Sequence, residues 1–173
     1  DSLTFLKEGH HMVALELTDL DGRTVSPQDA DHAGHVTIVQ VLGSWCPNCV
    51  DESRMLQEFL DAYGDHGLRV IGVAFERHPT EERSIAALRR FRDHLGLRYP
   101  IGYAGPVKKE AIAAKLPFLD RVMSFPTSIT IGRDGKVRRI HTGFYGPGTG
   151  DRYVAFRRNM EGLLQELLAE PRP

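Results

Sequence analysis

Apolar residues along this chain alternate between two spacings, short continuous runs and helically spaced ones, and the alternation predicts most of its elements. Val36-Thr37-Ile38-Val39-Gln40-Val41-Leu42 is β-branched and apolar, the composition of a buried strand. From Val50 to Tyr63 the apolar positions are Val50, Met55, Leu56, Phe59, Leu60 and Tyr63, which is helical spacing. Leu68 to Phe75 reads as a second buried strand. Pro79-Thr80-Glu81-Glu82 then opens a helix with Ile85, Leu88, Phe91 and Leu95 on one face, stopped at Gly96 by a left-handed cap. Tyr99-Pro100-Ile101-Gly102-Tyr103 is a short extended piece, followed by a helix from about Val107 to Lys115. Two antiparallel strands flank the turn at Asp134-Gly135, and an amphipathic helix from about Asp151 to Leu168 closes the chain.

Ahead of these, Val13-Ala14-Leu15-Glu16-Leu17-Thr18 alternates and Asp21-Gly22 turns it into Arg23-Thr24-Val25, a short N-terminal hairpin. Ser26 to His35 is a polar connector. A βαβ unit feeding a β-hairpin and a last helix predicts an α/β fold, a mixed central sheet flanked by helices. The 173 residues suit one domain, assigned to 13–170. Residues 1–12 are read as an N-terminal extension or cloning remnant, since the chain opens Asp1-Ser2-Leu3 with no charged-then-apolar leader.

The chemistry lies where the first strand hands over to the first helix. Trp45-Cys46-Pro47-Asn48-Cys49 contains the only two cysteines of the chain. Cys46 falls at a helix N-terminus, where unpaired backbone N–H groups and the helix dipole favour a thiolate. Pro47 suits the first helical turn, where its missing N–H costs nothing. Cys46 is therefore expected to be the exposed, acidic thiol and Cys49 the buried one. Zinc in a tetrahedral site needs four ligands, and there is neither a second cysteine pair nor a downstream His-x₃₋₅-His. A purely structural disulfide between residues three apart closes a very small loop and contributes little to stability. The pair reads as a redox centre with no metal or organic cofactor.

Three separated stretches resemble the thioredoxin superfamily, and within it the TlpA/ResA-like thiol–disulfide oxidoreductases. They are Gly43-Ser44-Trp45-Cys46-Pro47-Asn48-Cys49, Phe125-Pro126-Thr127, and the hairpin Ile129 to Val137 ending at Gly143. The resemblance runs from about Val13 to Leu168. It implies a thioredoxin-like fold with an N-terminal β-hairpin and a central insertion between the second strand and Phe125. It also implies a cis Phe125–Pro126 bond against the cysteines, the Phe125 backbone being left free to pair with an extended partner protein.

Thioredoxin has a buried aspartate six residues before its first active-site cysteine; here that position is Gln40, which cannot titrate. The TlpA/ResA-like branch has a glutamate three residues after the second cysteine, and this chain has Glu52 there. Glu52 is expected to take the proton of Cys49; the alternative is that it decorates the helix start as Asp51 does.

Trp45, Pro47, Phe125, Pro126, Phe144 and Tyr145 are the expected substrate contacts. The last two come from Gly143-Phe144-Tyr145-Gly146-Pro147-Gly148-Thr149-Gly150, a glycine-dense loop that fits neither a nucleotide nor a dinucleotide fingerprint. It forms one wall of the groove or is a turn with a buried aromatic. The implied partners are disulfide- or thiol-bearing proteins and a membrane or periplasmic thiol donor.

The implied reaction is thiol–disulfide exchange through Cys46 and Cys49 in the reducing direction, by a monomer outside the bacterial cytoplasmic membrane. An anchoring segment missing from this sequence is also implied. Against it stands a copper or zinc metallochaperone using Cys46, Cys49 and His141, although such chaperones space their cysteines one residue wider. A peroxidase is the weaker rival, since its cysteine does not normally sit in Trp-Cys-x-x-Cys. Lys plus Arg number 22 against 23 for Asp plus Glu, which gives no electrostatic argument for nucleic acid. No apolar run approaches the roughly 18 residues of a spanning helix.

Overall fold

The computed structural model describes residues 4–122 and 124–173; residues 1–3 of the expected extension lie outside them. Five strands form the central sheet: β3 (Val36–Leu42), β4 (Leu68–Glu76), β5 (Ile101–Pro106), β6 (Thr127–Ile131) and β7 (Val137–Thr142), in the order β5-β4-β3-β6-β7. β4 runs parallel to both β3 and β5, while β6 is antiparallel to β3 and β7 to β6. The sheet is therefore mixed, as the pattern predicted.

Side chains alternate across each strand, and the two faces build two separate cores. On one face Val36, Ile38 and Leu42 of β3 meet Leu56 and Phe59 of α1 (Pro47–Tyr63), Leu88 and Phe91 of α2 (Glu81–Leu95), and Leu164 of α4 (Asp151–Ala169). On the other, Val39 and Val41 meet Ile71, Val73 and Phe75 of β4, Leu116 and Phe118, and the N-terminal residues Val13, Leu15 and Leu17. Gly96 ends α2 at φ 63°, the left-handed cap expected of it.

Two elements differ from the sequence pattern. The N-terminal hairpin pairs only Leu17–Thr18 (β1) with Thr24–Val25 (β2); Val13 and Leu15 are core residues outside any strand. α3 spans Lys109–Lys115, because the Val107 N–H is taken by the Glu76 carbonyl at 3.0 Å and Lys108 is the cap. The described part of the 1–12 segment lies along the domain: Lys7 donates to the Phe118 carbonyl at 2.9 Å and Asp120 to the Phe5 carbonyl at 2.9 Å.

The inserted stretch between β4 and β6 contributes β5 to the sheet edge and α3 to the second face. β3 and α1 meet at the C-terminal ends of β3 and β4, and the cysteine pair stands at that junction.

Candidate active site

Cys46 is the N-cap of α1 and Pro47 its first residue. The Cys49 N–H donates to Cys46 Sγ at 3.2 Å, so the sulfur takes the place of the usual Ser or Asp side-chain oxygen. The neighbouring Cys49 thiol is the largest cause lowering the Cys46 pKa. The Cys49 and Asn48 backbone N–H groups and the Arg77 charge act the same way, against the cost of burial. Together they bring the Cys46 thiol down to about 7. Cys49 is driven far the other way, first by burial and then by the bond it makes to Cys46.

One expectation needs correcting: Cys46 is the more accessible thiol but only 5% exposed, against 0% for Cys49. Its sulfur lies 3.6 Å from the Phe125 carbonyl oxygen, which closes over it. The Phe125–Pro126 peptide is cis and Pro126 is buried.

Trp45 is wedged beside the pair. Its Nε1 donates to the Phe75 carbonyl at 2.9 Å, Phe125 meets its ring edge-on at 5.2 Å, and the Arg77 guanidinium lies 3.7 Å over its face. The absence of a side chain at Gly43 makes this possible: a Cβ there would overlap the indole and stand 2.8 Å from the Phe75 carbonyl oxygen.

The two acidic residues after Cys49 separate completely. Asp51 is at the surface, 3.7 Å from Arg54. Glu52 is one turn on from Cys49 on the inner face of α1 and is 0% exposed. Neither carboxyl oxygen has a hydrogen-bond partner among the described residues. Burial raises its pKa to about 8, with the Cys46 charge adding to the rise. The Gln40 amide works against that rise without a bond of normal geometry to either oxygen.

The loop Gly143–Gly150 splits its aromatics. Phe144 is 8% exposed, edge-on to Phe156 at 5.3 Å, and belongs to the core. Tyr145 is 45% exposed beside Arg152. His141 packs against Phe156 with the rings tilted and their centroids 4.5 Å apart. Among the described residues no three His, Cys, Asp or Glu side chains gather where one ion would sit, so His141 does not join the cysteines.

Three participants escaped the sequence pattern. Glu76, buried at the end of β4, accepts from the Ser44 N–H at 2.8 Å and from its hydroxyl, fixing the loop ahead of Trp45. Burial raises its pKa, the Ser44 bonds opposing. Arg77 follows it. A charged pair directly after an apolar strand is the signal, and it is weak, because such pairs usually mark a strand simply leaving the core. The third is Tyr99, bonded to Gln40.

Residues 9–140 match the AhpC/TSA family. The chain belongs to that family. Within it, the chain is a TlpA/ResA-like member of the thioredoxin superfamily. It is 29% identical over 138 residues to the thioredoxin-like protein YneN of Bacillus subtilis, covering 80% of this chain and 73% of that one. To the thiol-disulfide oxidoreductase ResA of Halalkalibacterium halodurans it is 24% identical over 139 residues, 79% and 69% of the two chains. A crystal structure of a thiol:disulfide interchange protein DsbE from Chlorobium tepidum superposes with a TM-score of 0.72 at 19% identity, over 95% of this chain and 100% of that one. That likeness shows the thioredoxin-like fold.

Proposed function

We propose that this protein is a thiol–disulfide oxidoreductase that reduces disulfides in other proteins. The observation that carries the reading is the contrast within one dithiol: Cys46 brought to about 7 at the cap of α1, Cys49 fully buried and held protonated, with a buried carboxyl one turn on. The relatives named for thiol–disulfide chemistry support the same reading.

Cys46 as thiolate attacks one sulfur of the substrate disulfide; the substrate's other sulfur leaves as a thiolate and takes a proton from solvent. A mixed disulfide now joins Cys46 to the substrate. Its formation removes the negative charge from Cys46, one of the causes holding Glu52 protonated. With that charge gone Glu52 releases its own proton to solvent, and the resulting carboxylate takes the Cys49 proton when a base is needed. Cys49 then attacks the Cys46 sulfur, the second substrate thiolate departs, and two electrons have passed to the substrate. The Cys46–Cys49 disulfide is returned to the dithiol by a thiol donor of the membrane or periplasm.

Trp45, Pro47, Phe125 and Pro126 frame the approach to Cys46, and Phe125 offers its backbone to an extended substrate segment. Tyr145 supplies the exposed aromatic at the rim; the burial of Phe144 makes it a support for that loop. We place the protein outside the cytoplasmic membrane as a monomer, anchored by a segment beyond this sequence; no helix among the described residues is itself long and apolar enough to cross a membrane.

Trapping tests the assignment. Cys49→Ser with a disulfide-bearing protein should accumulate a mixed disulfide through Cys46, and Cys46→Ser should accumulate none. Accumulation with Cys46→Ser would reverse the roles.

A further inference from the structure

Beneath the cysteine pair the core holds polar groups where its neighbours are apolar. On the α1 face of β3, Gln40 stands between Ile38 and Leu42 and is 0% exposed. Its amide is held from two sides. Tyr99, buried in the lead-in to β5, donates its hydroxyl to Gln40 Oε1 at 3.0 Å. Gln40 Nε2 donates to Ser53 Oγ at 3.1 Å, and Ser53 directly follows Glu52 on α1. Burying a phenol, an amide and a hydroxyl without partners would cost kilocalories each, so the three satisfy one another.

An amide has two unlike ends. Its N–H groups favour a carboxylate beside them, and its carbonyl favours a carboxylic acid. The phenol is fully buried and its pKa is raised, burial being the first cause, so it stays protonated and donates. The Ser53 hydroxyl lies between the two ends of the amide, 3.3 Å from the oxygen and 3.1 Å from the nitrogen, so the shorter bond from Tyr99 at 3.0 Å is the one that holds the oxygen on the Tyr99 side. One N–H is taken by Ser53; the amide as a whole favours the charged form of Glu52.

We propose that Tyr99 is a positioning residue for Glu52: by pinning the Gln40 carbonyl it keeps the amide nitrogen on the Glu52 side, and so sets the pH at which Glu52 takes the proton of Cys49. This rests on the reading of Glu52 as that acceptor. Tyr99 touches no substrate and acts through Gln40. The titratable groups facing Glu52 are Cys46 and Cys49 from the start of α1 and Tyr99 from the lead-in to β5. β3 presents the neutral Gln40, and α2 and α4 give the core on that side of the sheet the uncharged Leu88, Phe91, Phe156 and Met160.

The test is the pH profile of mixed-disulfide resolution, with the mixed disulfide preformed on Cys46 with a small aromatic thiol. Four proteins are compared: the unaltered chain, Tyr99→Phe, Glu52→Gln and the double variant. Phenylalanine keeps the buried ring and removes only the hydroxyl. Freed of that donor, the amide turns its oxygen toward the Glu52 O–H, and the midpoint of resolution moves up. A rise of one pH unit makes resolution about tenfold slower below both midpoints, with the high-pH plateau and the first attack by Cys46 unchanged.

In the Glu52→Gln background, Tyr99→Phe should change nothing further. A carboxyl carbon titration of Glu52 by NMR reads the same shift without turnover. An unmoved or lowered midpoint in Tyr99→Phe, or uniform slowing with no shift, overturns the inference while leaving Glu52 as the acceptor. Glu52→Gln resolving at the unaltered rate overturns the acceptor reading itself.

Discussion

Glu52 stands one helical turn after Cys49 on the inner face of α1, and neither residue has any surface in contact with solvent. A carboxyl in that position has no water to ionise into, so burial holds its pKa high, the Gln40 amide opposes the rise and the Cys46 charge adds to it. Five outcomes follow from this arrangement and from the residues that frame it.

Alkylation of the reduced protein should modify Cys46 alone, with a midpoint near pH 7, about two units below the ordinary thiol value of 9.0. Cys49 should stay unmodified through that range, since burial holds it protonated. Mass mapping of the labelled peptide checks both statements. Label on Cys49 below pH 8 would contradict them.

Much of this was legible in the sequence. Cys46 and Cys49 between a β-branched run and a helical one fix the junction, and Glu52 three residues past Cys49 shares its helix face by simple periodicity. Asp51 against Glu52 could be separated only by that same periodicity. The Gln40–Ser53–Tyr99 chain was not legible: it joins residues 13 and 59 positions apart, and only the β4-to-β5 crossover brings Tyr99 under β3. Phe144 was open between groove wall and core because alternation in a glycine-dense loop carries no period. Packing on Tyr153 and Phe156 of α4 places it in the core.

Stability of the reduced protein should fall as pH rises from about 5 to 8. Glu52 has a folded pKa of about 8 against an ordinary 4.5, so the folded state holds a proton that the unfolded chain has given up. The contribution is present in full below 4.5 and lost through 8, on the order of a few kcal/mol. Cys46, shifted down, works oppositely, but only between about 7 and 9. Glu52→Gln should flatten the decline in Tm between pH 5 and 7. A decline of equal slope in the variant would contradict the burial of an ionisable Glu52.

Gly43→Ala should dislodge Trp45, because the added carbon meets the indole on one side and the Phe75 carbonyl on the other. Overpacking of this kind costs about 1–3 kcal/mol. Trp45 is the only tryptophan, so its fluorescence reports the change directly. A red shift with slower attack by Cys46 is expected; an unshifted spectrum would show that the loop absorbs the methyl group.

Arg77→Gln removes the cation stacked on Trp45 and one of the charges favouring the Cys46 thiolate. Attack on a small neutral disulfide at pH 6 should slow by about two- to threefold, as the thiolate fraction falls with a modest rise in pKa. Above pH 9, where the thiolate is complete in both proteins, the rates should converge. A deficit that persists there would mean that Arg77 acts on the substrate and not on the thiol.

The central claim is that Glu52 takes the proton of Cys49 during resolution. Rapid-quench measurement of the mixed-disulfide lifetime in the unaltered chain and in Glu52→Gln tests it most directly. The predicted result is formation of the mixed disulfide at a comparable rate in both, followed by resolution slowed on the order of 10²-fold in the variant, the low end for a positioned general base. Equal lifetimes would contradict the account, leaving the Cys49 proton to water or to the substrate.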